Sequence, residues 1–236
     1  MHIKVLGTRG EINASLRGHS KKSGILIDDE LLLDLGEKSF LKYSPKWILI
    51  THFHPDHAYF VRRGKLETPI TRAKIFAPDK FSEKKIKLKI EVLRKKKRIG
   101  PYTITPIPTH HSKFVKSQAY LIKKKGKSVL YTGDLVWINK EYLHLFKKVD
   151  LVITEASFLK KGGIIQKDKE TGRLFGHTGI PNLLRMFRSC TKTILLVHFG
   201  TWYLENKKSG KKRLQALAKE NKVNVIPSYD GQEIQV

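Results

Sequence analysis

Short apolar runs bounded by polar turns recur along the chain, and most of them read as β-strands. The first covers residues 1–6 and ends in the turn Gly7-Thr8-Arg9-Gly10, whose spacing matches no phosphate-binding P-loop. Residues 25–27 and 31–33 flank Asp28-Asp29-Glu30 in the pattern of a hairpin. Residues 47–50 are a continuous buried run, and 73–77 are another, stopped by Pro78. Ile86, Leu88 and Ile90 alternate with lysines, as on a half-buried edge strand. Residues 102–108 are extended, and 119–122 with 128–131 make a second hairpin around Lys125-Gly126. The runs 151–153 and 193–197 complete the core strands, and 223–236 add short ones around Asp230-Gly231. Three helices are expected: a short amphipathic one at 141–148, one opened by Pro181 in the first-turn position that proline tolerates, and a basic one at 207–222. Between Ser157 and Phe175 the chain is polar and glycine-containing, which reads as a loop. No repeat, linker or low-complexity segment interrupts the series, so residues 1–236 are expected to form a single α/β domain.

What these runs carry at their ends changes the picture. The run 47–50 delivers Thr51-His52-Phe53-His54-Pro55-Asp56-His57, three histidines and a carboxylate in close succession. Pro55 blocks a regular helix here, whereas a tight loop can fold all four side chains onto one point. Neutral imidazoles and carboxylates are the ligands of zinc and similar divalent cations. Other strands end in His110-His111, Asp134, Glu155 and His198. A core needs none of these groups, and burying one unpaired costs on the order of several kcal/mol. They are therefore expected to share one site, with enough ligands for two cations. Such a pair generates hydroxide from water at neutral pH and clamps an oxyanion or leaving group, a chemistry suited to phosphodiester hydrolysis. Asp34, at a further strand end, either supports the metal loop or caps the turn that follows it. His19 stands alone in a polar stretch and is expected in solvent or in a satisfied hydrogen bond.

Charge narrows the partners. Forty-seven Lys and Arg against 21 Asp and Glu leave a formal net charge of +26. Heat adaptation raises acidic and basic residues together; here the acids do not keep pace. An unpaired positive field attracts polyanions, of which nucleic acid is the commonest. The densest stretch holds Lys84, Lys85, Arg94, Lys95, Lys96, Lys97 and Arg98, and residues 207–213 add a second. The single cysteine, Cys190, excludes an internal disulfide and a cysteine-rich zinc cluster. Apolar runs fall far short of the roughly 20 residues of a membrane span, and residues 1–6 read as a strand rather than a signal peptide. A cytoplasmic protein without membrane contact is the expectation.

The series His52-x-His54-x-Asp56-His57, a histidine after the next strands, Gly133-Asp134 and the strand-borne His198 resembles the metallo-β-lactamase superfamily over nearly the whole chain. The resemblance implies an αββα sandwich of two mixed β-sheets flanked by helices, with a dinuclear site at one edge. It implies that His52, His54 and His111 hold one metal, Asp56, His57 and His198 the other, and that Asp134 bridges them. Zinc is the expected metal, with manganese as the alternative. Within the superfamily, Leu6-Gly7-Thr8, Leu33-Asp34-Leu35-Gly36-Glu37, Glu155-Ala156-Ser157-Phe158, His177-Thr178 and Val197-His198-Phe199-Gly200 resemble signature segments of tRNase Z, the tRNA 3′-processing endonucleases. By that likeness Glu155 orients His177, which protonates the leaving 3′-oxygen. The chemistry agrees, since a neighbouring carboxylate keeps an imidazole protonated. There are departures: Thr154 stands where that family has histidine, and residues 112–133 have room for a hairpin but not for the long arm that grips tRNA. Ser112-Lys113 resembles the third motif of the small cyclic phosphodiesterases of the superfamily, which favours His111 over His110 as the ligand.

The expected function is a metal-dependent phosphodiesterase, a tRNase Z-like endoribonuclease or nuclease using a two-zinc-activated hydroxide. Asp56 would position or deprotonate the water, and His177 would protonate the leaving group. RNA is the expected partner, with a second copy of the chain as a further one. Two alternatives stand beside it: a phosphodiesterase of small cyclic phosphate esters, and a nucleic-acid-binding protein that keeps its metal for structure alone.

Overall fold

The computed structural model describes residues 1–81, 83 and 85–236. Six strands from the first part of the chain pair in one sheet: β1 (His2–Gly7), β2 (Gly24–Ile27), β3 (Leu31–Leu33), β4 (Trp47–Leu49), β5 (Lys74–Ala77) and β6 (Ile90–Val92). The second sheet takes β7 (Lys97–Ile99), β8 (Tyr102–Thr109), β9 (Ser117–Lys124), β10 (Lys127–Tyr131) and β11 (Leu151–Ala156). A separate hairpin follows, β12 (Ile164–Lys167) with β13 (Leu174–His177), before β14 (Thr193–Phe199) and β15 (Asn224–Pro227) join the second sheet. The last strand, β16 (Glu233–Gln235), returns to the first sheet beside β1, so each sheet has seven strands. Both sheets are mixed: β3 to β6 run parallel, as do β10, β11, β14 and β15, and the remaining neighbours are antiparallel.

The period of two along each strand explains why two sheets form. Ile25, Ile27, Leu31, Leu33 and Leu49 face Ile104, Tyr120, Val129, Tyr131 and Leu195 across the space between the sheets. Their alternates Leu26, Leu32, Ile48 and Ile50 fill a cluster on the outer face of the first sheet. With both faces apolar, neither sheet can be left open on one side. On the second sheet the outer face is covered by α1 (Ile180–Phe187) and α3 (Lys207–Asn221), with the single turn α2 (Thr201–Leu204) between them. Ile180, Leu183, Leu184 and Phe187 make the buried stripe of α1 and pack on Val152, Ile194 and Leu196. The first sheet is covered differently. The 3₁₀ segments Lys38–Tyr43 and Tyr59–Val61 bring Phe40 and Phe60 onto it, and no α-helical residue joins that cluster among the described residues.

Three local expectations need correction. The alternation at 86–90 does not lie in a strand: Ile86 and Leu88 pack onto the first sheet's outer cluster, and ladder pairing with β5 begins only at Ile90. The segment expected as a helix at 141–148 is a 3₁₀ stretch, Lys140–Phe146, in which Phe146 alone is buried, too small an anchor for a longer helix. The loop expected before Phe175 contains the β12–β13 hairpin; all four residues of β12 are exposed, so no apolar alternation announces it.

The parallel stretches set up the site. β10, β11 and β14 point the same way, so the groups that follow or close them emerge at one edge, where α/β sheets place their ligands.

Candidate metal centre

The loop after β4 is held by Asp34, buried and in the left-handed backbone region at φ 59°. Its Oδ1 accepts from the Thr51 amide at 2.7 Å, and its Oδ2 accepts from the Tyr131 hydroxyl at 2.7 Å. Asp34 Oδ2 also lies 2.7 Å from His57 Nδ1. A carboxylate of this kind accepts only, so His57 carries its proton on Nδ1 and turns Nε2 inward. Of the two roles open to Asp34 in sequence, the support of the metal loop is the one it fills.

The same device repeats around the site. Thr51 Oγ1 donates to Asp34 and lies 3.0 Å from His52 Nδ1. His111 Nδ1 donates to the Gly176 carbonyl at 2.9 Å. Ser157 Oγ donates to Glu155 Oε2 and lies 2.9 Å from His198 Nδ1. Four imidazoles thus have Nδ1 engaged by an acceptor, which frees Nε2 for the interior and fixes the tautomer that a metal ligand needs. His54 brings its Nδ1 to 3.1 Å from His111 Nε2.

Two pieces of backbone make room. Gly133 has φ 59°, and a Cβ there would sit 2.7 Å from Thr51 Oγ1, so the turn carrying Asp134 can close on the histidine loop only with glycine. His198 has φ 54° and is skipped in the β11–β14 ladder, where Glu155 pairs with Val197 and Ala156 with Phe199. It is the extra residue of a bulge, which turns its side chain out of the sheet's alternation and into the site.

At the centre Asp134 faces five imidazoles: His57 at 3.2 Å, His198 at 3.4 Å, His111 at 3.6 Å, His52 at 3.7 Å and His177 at 3.9 Å. Ligand atoms fall within 4.8 Å of one another in each of three groups: His52, His54, His111 and Asp134; Asp56, His57, Asp134 and His198; and Asp134, Glu155 and His177. His110 is not among them; its ring turns to Asn139, with Nε2 2.9 Å from Asn139 Oδ1.

Electrostatics divides the imidazoles. Burial pushes His52 and His111 down and His54 down to about 4, with neighbouring histidines adding to the effect. Burial also opposes charge on His57 and His198, but Asp134 and the other nearby carboxylates outweigh it and raise both. Asp56 and Asp134 are pressed upward by burial, yet the surrounding histidines carry them well below the ordinary carboxylate range. His52 Nε2 and Asp134 Oδ1 are buried without a hydrogen-bond partner, at a cost of about 1–3 kcal/mol each. A divalent cation would take up both lone pairs, and the histidine and carboxylate donors are those that zinc or manganese accepts. The residues present fit a metal.

The profile of the β-lactamase superfamily domain matches residues 43–199, two thirds of the chain and most of the elements just described. The chain belongs to the metallo-β-lactamase superfamily. No curated protein matches its sequence. Several solved structures resemble it throughout their length. YhfI from Bacillus subtilis superposes with a TM-score of 0.71 at 20% identity, covering 99% of this chain and 98% of that one. Human tRNase Z, short form, gives 0.63 at 16% identity over 100% and 99%. A diphosphatase from the PhnP family gives 0.64 at 12% identity over 100% and 97%. At these identities the likeness speaks for the fold. The superfamily is generally one of metal-dependent hydrolases, and this member carries His/Asp clusters able to bind metal ions.

His177 lies at the open side of the centre. Its Nδ1 is 2.7 Å from Glu155 Oε2, and its ring stacks on His198 at 5.9 Å between centroids. Burial works against its charge, but Glu155 and then Asp134 raise it to about 9. A cavity of about 220 Å³ opens here, lined by His54, Asp56, Asp134, His177 and His198 among others.

The basic residues do not gather at this cavity. Lys85, Arg94, Lys95, Lys96, Lys97 and Arg98 are exposed along the crossover from the first sheet to the second, where Lys97 pairs with Glu91. Lys84 lies outside the described residues. His19 is fully buried, its Nδ1 2.9 Å from Thr8 Oγ1, and burial pushes it down to about 4. Ser157, Tyr131 and the Gly176 carbonyl are orienting groups that sequence reasoning did not single out. Only Ser157 left a trace, in the polar segment that closes β11 just after Glu155.

Metal loading offers a direct check. Zinc at 100 times its Kd contributes about 2.7 kcal/mol to a protein that binds it only when folded. For a chain of this size that corresponds to a rise in Tm of roughly 5–11 °C. Scanning calorimetry with and without a chelator reads it, and an unchanged Tm means that the clusters do not bind zinc.

No described helix is long and apolar enough to cross a membrane.

Proposed function

We propose that this metallo-β-lactamase-fold protein is a two-cation phosphodiesterase acting on nucleic acid, with RNA as the preferred substrate. His52, His54 and His111 would hold one cation and Asp56, His57 and His198 the other, with Asp134 between them. Zinc is the expected ion and manganese the alternative. When bound, such cations supply Lewis acidity to a phosphoryl group and lower the pKa of a water molecule.

The observation that carries the reading is the pair Glu155–His177 beside the metal ligands, a cationic imidazole on the cavity wall. An alkoxide leaving a phosphodiester needs a proton as its bond to phosphorus breaks, and an imidazole kept charged by a carboxylate supplies it. The water attacks phosphorus, the bond to O3′ breaks, and the proton of His177 goes to that oxygen, leaving 3′-hydroxyl and 5′-phosphate ends. Asp56 is ionised at neutral pH and lines the same cavity, so it would position or deprotonate the water. Glu155 keeps His177 charged, and Ser157 ties Glu155 to His198. The net charge of +26 supports a polyanionic substrate, and the fold is shared with a tRNase Z and a diphosphatase.

The test is zinc- or manganese-loaded protein on labelled single-stranded and structured RNA and DNA, with bis(p-nitrophenyl) phosphate as a generic ester and product ends mapped. RNA cleavage with 3′-hydroxyl ends, weakening steeply as salt rises, is the expected result. Two bound metals without turnover of any of these substrates would leave a binding protein instead. Turnover confined to small cyclic esters, insensitive to salt, would reassign the substrate.

A further inference from the structure

A second and larger cavity, about 650 Å³, is lined by His110, the neighbour of His111 in sequence, and by Asn139, and shares no lining residue with the metal-side cavity. One wall is His110 with residues 112–118, and another includes Arg173 and Leu174, where β13 begins. Each wall leads directly to a site residue. Phe114 is three residues from His111, and Leu174 is three residues from His177, so the backbone of each is within about 11 Å of that site residue. The metal-side cavity, about 220 Å³, falls below the roughly 300 Å³ at which small-molecule pockets begin. Most of a nucleotide substrate must therefore lie outside it.

The larger groove has the two features that single-stranded nucleic acid uses, a cationic track and an aromatic face. Phe114 stands 89% exposed at its wall, an arrangement that costs free energy in water and serves no core. Its loop is not slack, since the Phe114 and Val115 amides both donate to Ser112 Oγ. Arg94 and Arg173 line the groove, and among the described residues neither is in an ion pair. Lys113 and Lys116 also line it, paired with Asp168 and Asp79 at 2.6 Å each. Lys116 and its partner Asp79 are both open to solvent, and such a surface pair is worth about 0–1 kcal/mol, so Lys116 can turn to a phosphate at little cost, whereas the partner of Lys113, Asp168, is buried and holds it in place.

We propose that this groove seats the single-stranded segment flanking the scissile phosphate, with a base stacked on Phe114 and phosphates held by Arg94 and Arg173. The proposal rests on the phosphodiesterase reading above and names where its substrate is gripped.

The experiment measures binding by the zinc-loaded protein of a fluorescein-labelled, cleavage-resistant phosphorothioate decamer, by anisotropy. Phe114→Ala and Phe114→Leu are expected to weaken binding about 5- to 150-fold, the range for one stacked base, and Phe114→Trp to restore it. Because Phe114 is exposed, none of these changes removes core packing. Arg173→Ala should weaken binding and reduce the slope of log Kd against log salt by about 0.7, one phosphate contact on a single strand. Equal affinity in wild type, Phe114→Ala and Phe114→Leu overturns the groove, as does a blunt duplex that binds as tightly as the single strand. Wild-type turnover of bis(p-nitrophenyl) phosphate separates the two readings. Turnover with no effect at Phe114 removes the groove and leaves the phosphodiesterase; no turnover with weakened binding keeps the groove and removes the catalysis.

Discussion

Asp134→Ala is expected to abolish phosphodiester turnover, lowering kcat/KM by at least about 10⁴-fold, in a chain that stays folded. The carboxylate lies within 3.9 Å of five imidazoles and belongs to all three ligand groups, so no other residue touches as much of the centre. Its loss removes the negative charge that holds His57 and His198 above their ordinary range, and with it the one carboxylate that both proposed cation sites would share. Folding should survive for a specific reason. Asp134 faces only the imidazoles of the centre and accepts no hydrogen bond from the backbone or from a residue that holds the sheets together, so truncation breaks none of the contacts that build the fold. Asp134→Asn, which keeps the volume and loses the charge, should lose activity to the same degree. Circular dichroism, metal content and turnover of bis(p-nitrophenyl) phosphate read the three parts. Wild-type turnover in either variant would falsify the two-cation assignment.

The centre was legible where its ligands are dense in sequence and dark where they depend on packing. Residues 52–57 announce themselves because three imidazoles and a carboxylate within one loop have no structural use. His198 could be seen at a strand end, but not the bulge that aims it, since a register skip leaves no mark in one sequence. His110 and His111 illustrate the same limit. Adjacent residues on an extended segment point to opposite faces, and spacing does not say which face is the site; Asn139 engages one and Gly176 the other. The orienting groups are the least visible. Tyr131 reaches Asp34 across 97 positions of sequence, and a tyrosine ending an apolar strand is ordinary. Charge behaves likewise. The run 94–98 reports density, not direction, and only Arg94 of that run lines the groove, opposite an arginine from a hairpin with no hydrophobic pattern.

The second large effect concerns His177. His177→Ala is expected to cost about 10²- to 10⁴-fold in kcat/KM on RNA, the usual worth of a general acid, and little on bis(p-nitrophenyl) phosphate. The difference lies in the leaving group: a ribose 3′-alkoxide needs a proton as the bond to phosphorus breaks, and a nitrophenolate does not. The pH profile carries the same assignment. An acid works only while protonated, so kcat/KM on RNA should fall with unit slope as pH rises through the pKa of His177. Burial alone would push that pKa below the ordinary 6.5; Glu155 and Asp134 lift it to about 9. Cations beside Asp134 cancel part of its charge, so in the loaded protein the alkaline limb belongs between these two values. Glu155→Gln removes the larger of the two raising charges, and the limb should then move down toward or past 6.5, with activity at neutral pH falling accordingly. On the nitrophenyl ester neither the limb nor its shift should be seen. Were Glu155→Gln to leave the limb in place, or His177→Ala to cost the same on both substrates, His177 would be holding the site together rather than donating a proton.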